Sequence, residues 1–157
     1  PILFEDYIIY ENVDLEIIPS VKSRNSVQIV KQAQGPDRKE ANLSAKHIEY
    51  HFSEAGNELT FNDYLRFPAS DKIRAQEVDV KLMLVPGTFV YMNREAIEEV
   101  RYDLFISSDY ERQWDSRTHL WLVTRSGLIC ADCGNDISDF LPETPAAIPD
   151  STATVSQ

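Results

Sequence analysis

The 157 residues are enough for one domain that buries its own core without disulfide stapling. With 43% hydrophobic residues, 10% aromatic residues and only five glycines, the composition excludes a disordered or collagen-like chain. Fifteen basic against twenty-six acidic side chains leave a formal charge of -11, which repels phosphate backbones and anionic headgroups and argues against nucleic acid as a partner.

From the start, PILFEDYIIYENVD lacks the basic-then-apolar order of a signal peptide, and no run approaches the length of about eighteen apolar residues needed to span a bilayer. The chain opens on Pro1 rather than Met, as a processed or excised chain does, which leaves room for membrane anchors in upstream sequence. Val13, Leu15 and Ile17 then alternate with Asp14 and Glu16, and Val27 and Ile29 with Ser26 and Gln28, which predicts half-buried strands. Gly35-Pro36-Asp37 introduces a short helix over about 37–47, with Asp37 as N-cap and Glu40 three residues later. Its expected docking stripe is Ala41, Leu43, Ala45 and Ile48. The segment from His47 to Phe52 leads into a hairpin, turning at Ala55-Gly56-Asn57 and returning through Leu59 and Phe61.

The longest alternating run is Val78 to Val85, with Val78, Val80, Leu82 and Leu84 on one face, ended by Pro86-Gly87 and resumed at Thr88 to Tyr91. Further on, Leu120 to Val123 and Leu128 to Cys130 flank an Arg125-Ser126-Gly127 turn. Past Arg125 there is no Lys or Arg, and Pro142, Pro145 and Pro149 break up a Ser/Thr/Ala-rich ending. The expected division is a single β-rich domain over 1–135 and an acidic tail or linker over 136–157. The fold class is mostly β, either a β-solenoid or stacked sheets, with the one short helix.

Chemistry-bearing motifs are few. Cys130-Ala131-Asp132-Cys133 brings two thiols close enough to oxidise together or to grip one metal ion. His47 and His51 have H-x3-H spacing and would complete a Cys2His2 set, but on a strand they stand too far apart to share an ion. Gly134-Asn135-Asp136 opens no helix of the kind that activates a thioredoxin-like thiol. Cys130 and Cys133 therefore stand as a redox or structural pair.

Glu95, Glu98, Glu99 and Asp103 read as a solvated acidic face rather than as acid–base machinery. The chain has no G-x-S-x-G elbow, and Gly35, Gly56, Gly87, Gly127 and Gly134 are scattered singly, as turn glycines are. Trp114, Trp121, Tyr64, Phe67, Tyr102 and Phe105 fit core anchors better than a ligand platform. No catalytic, cofactor-binding or metal-binding residue is expected, and the chain is expected not to be an enzyme.

Four segments in this order resemble one known family: Asn25 to Gly35, the Lys39-Glu40-Ala41 helix leading to Ile48-Glu49-Tyr50, Val78 to Thr88, and Trp121 to Cys133. Over about residues 10–135 the pattern resembles the C-terminal, toast-rack-like region of Bacteroidetes-type PspC-domain membrane proteins. The resemblance implies a β-solenoid or stacked-sheet domain attached to transmembrane helices at the bacterial cell membrane, with the periplasmic side favoured. It also implies a sensing or interaction role in the phage-shock type of envelope stress response, with a protein or envelope ligand as partner. It transfers no active-site residue. The rivals are a structural or adhesin-like surface domain and, behind it, a metal- or redox-active CxxC protein.

Overall fold

The computed structural model describes residues 1–101, 104–105, 118–141 and 152–156. In chain order the first strands are β1 (Ile2–Leu3), β2 (Tyr7–Tyr10), β3 (Val13–Pro19) and β4 (Ser26–Gln32), followed by helix α1 (Arg38–Lys46). Then come β5 (Phe52–Ala55), β6 (Glu58–Phe61), β7 (Leu65–Pro68), β8 (Glu77–Leu84) and β9 (Phe89–Met92). Helix α2 (Arg94–Glu99) precedes β10 (Val100–Arg101), β11 (Leu104–Phe105), β12 (His119–Thr124), β13 (Gly127–Cys130) and β14 (Thr152–Ser156).

The alternation in β8 works as its pattern demands: Val78, Val80, Leu82 and Leu84 are buried, while Glu77, Asp79, Lys81 and Met83 stay partly exposed. Strand β3 pairs parallel to β8, with Leu15 opposite Val80 and Ile17 opposite Leu82. On the other side β4 pairs antiparallel, with Val27 opposite Leu82 and Ile29 opposite Val80. The inner faces of the three strands therefore meet in register. With β10 these strands form a sheet in the order β10-β3-β8-β4.

Two further sheets run β1-β2-β7 and β11-β13-β12-β9-β14-β6-β5. All three contribute to one core, including Ile8 and Phe67 from the first sheet, Leu15 and Val80 from the second, and Phe61, Val90 and Trp121 from the third. This is a mostly β domain whose sheets share a core, with no closed barrel among the described residues.

Helix α1 starts where its cap lies: the Glu40 N–H donates to Asp37 Oδ1 at 2.8 Å. The Glu40 carboxylate pairs with Arg74 at 3.2 Å. The docking stripe differs from the expected one, because Leu43 is exposed whereas Ser44 and Ile48 are buried and Ala41 and Ala45 half-buried. Positions 41, 44, 45 and 48 follow the helical period, and 41, 43, 45 do not. Gly35 is needed beside it, since a Cβ there would sit 2.6 Å from the Ala41 backbone nitrogen.

Among the elements that the sequence did not lead one to expect, a helix and a strand bear on the domain's extent. Helix α2 was not expected; Asn93 caps it by accepting from the Ala96 N–H at 2.8 Å, and Ala96 and Ile97 are buried. At the end of the segment read as a tail or linker, β14 lies parallel between β9 and β6, with Val155 fully buried. Thr-Ala-Thr-Val-Ser is rich in strand-favouring residues, and composition alone did not weigh that local preference.

Candidate functional site

The hairpin β12–β13 builds the chemically distinctive corner of the domain. Its register pairs Thr124 with Gly127, Val123 with Leu128, Leu122 with Ile129 and Trp121 with Cys130. Continued past the ladder, the same register sets His119 beside Asp132. The Ala131 N–H donates to the Leu120 carbonyl at 2.7 Å, which extends the hairpin as far as the loop. Asn135 Nδ2 donates to the Cys130 carbonyl at 3.0 Å, and Gly134, with φ of 82°, turns the chain back.

Within this loop Cys130 and Cys133 form a disulfide, with Cα atoms 5.5 Å apart. Cys130 is fully buried and Cys133 half-buried. His119 Nδ1 lies 3.0 Å from Asp132 Oδ1 and 3.8 Å from Cys133 Sγ. Asp132 Oδ1 is 3.3 Å from Cys130 Sγ, while its other oxygen accepts the Leu120 N–H at 3.1 Å. That second bond fixes the carboxylate's orientation. The His119 side chain is only 13% exposed, whereas Asp132 is 42% exposed and forms the open side of the site.

The imidazole beside the cysteines is thus His119, which sequence reading did not single out. His47 instead sits at the C-terminus of α1, where its Nδ1 lies 2.7 Å from Asp71 Oδ2, and His51 is exposed just before β5. The signal for His119 was present: counting outward from the Arg125-Ser126 turn pairs position 119 with 132.

The remaining candidates separate by burial. Phe67 and Trp121 are core residues, Tyr64 is 42% exposed, and Glu95 is exposed at the start of α2. Tyr102, Asp103 and Trp114 lie outside the described residues, as do the side chains of Glu98, Glu99 and Phe105. On the outer face of the β3–β8 pair, Asp14, Glu77 and Asp79 gather, and Gln32 Nε2 donates to Asp79 Oδ2 at 2.6 Å.

A second feature is a groove of about 440 Å³ between two sheet edges. Among the described residues, strand β4 ends one sheet and β5 ends another, each with one side that carries no neighbouring described strand. Asn25, Ser26 and Val27 line one wall and Phe52, Glu54 and Asn57 the other, above Leu59, Leu82 and Leu84. Phe52 stacks on Phe61 at 5.5 Å between ring centroids yet remains 39% exposed. Strands that end their sheets among the described residues, beside an apolar floor, are the arrangement to which an extended peptide adds as a strand.

Among the described residues no helix is long and apolar enough to cross a membrane. No curated protein and no solved structure matches the chain. Residues 4–136 do match the family model for the C-terminal toast-rack found in some PspC proteins. The match takes in β2 and β7, the β10-β3-β8-β4 sheet and the whole cysteine hairpin, and the chain belongs to this toast-rack family.

Proposed function

We propose that the domain is the sensing or protein-interaction part of a membrane-attached PspC-type protein acting in envelope stress, and that it works by binding rather than by turnover. The observation that carries this reading is the groove between the open edges of β4 and β5. Its apolar floor and edge backbone suit an extended segment of a partner protein, which would add as a strand and place alternate side chains toward Leu59 and Leu82. Membrane attachment is supplied by the rest of such a protein, and the periplasmic face is the proposed side.

The test replaces Phe52 by Asp in the membrane protein that carries the domain, in its own cells, and measures envelope-stress transcription. Phe52 is partly exposed, so the variant should remain inserted and folded, as protease protection of the membrane fraction would verify. Induction should fall toward that of a deletion of residues 4–136. Full induction in both the Phe52→Asp strain and the deletion strain would refute a sensing role for the domain.

A further inference from the structure

We propose that the Cys130–Cys133 corner is a redox-gated zinc site, in which His119 Nδ1, Asp132 Oδ1 and the two reduced sulfurs hold one ion. The donor atoms of these four residues lie within 4.8 Å of one another. Tetrahedral zinc, with Zn–S of about 2.3 Å and Zn–N or Zn–O of about 2.0 Å, sets its donors roughly 3–4 Å apart. The separations Cys133 Sγ to His119 Nδ1 at 3.8 Å, His119 Nδ1 to Asp132 Oδ1 at 3.0 Å and Cys130 Sγ to Asp132 Oδ1 at 3.3 Å already have this size. A fourth separation, Cys133 Sγ to Asp132 Oδ1 at 3.8 Å, agrees. The bonded sulfur pair is too close for a shared ion, and reduction releases it.

Three features favour zinc over an ordinary ion pair beside a structural disulfide. Two thiolates with one imidazole and one carboxylate form a borderline-soft set suited to this metal. The Leu120 N–H already holds the outer oxygen of Asp132, as the supporting shell of a metal ligand does. The imidazole is mostly shielded from solvent on a strand whose pairing with β9, His119 opposite Met92, fixes its backbone, so little ordering is required when an ion arrives.

The two states interconvert by a balanced step. A phosphine reductant supplies two electrons, the S–S bond breaks, and the phosphine leaves as its oxide, with water providing the oxygen and both thiol protons. Zinc then displaces the two thiol protons to the buffer. His119 keeps its remaining proton on Nε2 while Nδ1 binds the metal.

The test uses the whole chain, either oxidised or reduced with a phosphine under argon, titrated with zinc and separately with cobalt(II). Reduced protein should hold one zinc per chain by elemental analysis, and the cobalt form should show thiolate-to-metal charge transfer with tetrahedral d–d absorption. Oxidised protein should hold none. Cys133→Ser and His119→Gln, both at incompletely buried positions, should each weaken zinc binding by about ten-fold or more while circular dichroism stays unchanged. Reduced wild type holding no zinc, oxidised protein holding as much as reduced, or folded His119→Gln binding as tightly as wild type would each overturn the proposal. Should either variant fail to fold, the wild-type cobalt spectrum decides: absence of the charge-transfer band rejects the site.

Discussion

Lys31 reaches from β4 to the carbonyl oxygen of Ile48, donating from Nζ at 2.7 Å. Lys31 lies opposite Val78 near the end of β4, and although the residue itself is exposed, its charge caps a carbonyl of the buried Ile48 just after α1. Replacing Lys31 by Met keeps the stem and removes the donor. Urea denaturation should show a loss of about 1–3 kcal/mol, the cost of leaving a buried carbonyl without its charged donor. An unchanged midpoint would mean that water takes the place of the ammonium.

Leu82 and Lys81 test the register of the central strand. Leu82 is 1% exposed between Ile17 and Val27, so Leu82→Ala should cost roughly 2–5 kcal/mol through lost burial and the cavity left behind. Lys81 points the other way, and Lys81→Ala should change stability by no more than about 0.5 kcal/mol. Equal losses at the two positions would contradict the one-sided packing of β8.

The cap of α1 is separable from the core. Asp37→Ala removes the acceptor for the Glu40 N–H and should lower stability by about 1 kcal/mol, whereas Asp37→Asn should recover most of it. Thermal melts of the two variants provide the comparison.

Tyr50 makes the domain sensitive to alkali. Burial, with the nearby Asp63 carboxylate adding to it, pushes its phenol well above the ordinary tyrosine range, and its hydroxyl donates to the Asn62 carbonyl at 2.9 Å. The folded chain therefore holds this proton more tightly than the unfolded chain. The resulting stability is whole below pH of about 10, the ordinary phenol value, and is lost as pH rises from there toward the folded-state value. Denaturation at stepped pH should show wild type losing stability above that point, with a shallower fall for Tyr50→Phe. Parallel curves would assign the alkaline loss to other groups.

Much of the local architecture is legible in the chain. The alternations in β3 and β8, the Asp37 cap and the Gly56-Asn57 hairpin follow from period-two burial, side-chain capping and turn chemistry, all of which act over a few residues. The short helix α2 was missed because six residues display too little of the helical period to stand out from an acidic run. The stripe on α1 shows the same weakness, since one wrongly included position, Leu43, hides the true face.

What only the tertiary structure decided is which distant segments become neighbours. Parallel pairing of β3 with β8 joins strands whose facing residues, such as Leu15 and Val80, are far apart in sequence, and no local signal specifies that partnership. Insertion of β14 between β9 and β6 likewise depends on two open strand edges that the segment finds only in the folded sheet. At the cysteine corner the CxxC spacing was plain, but its imidazole came from the facing strand rather than from the H-x3-H pair. A side chain's own neighbours in sequence set its strand and its face. Its partners across the sheet are set by the burial of whole faces against one another, a property of all the strands together.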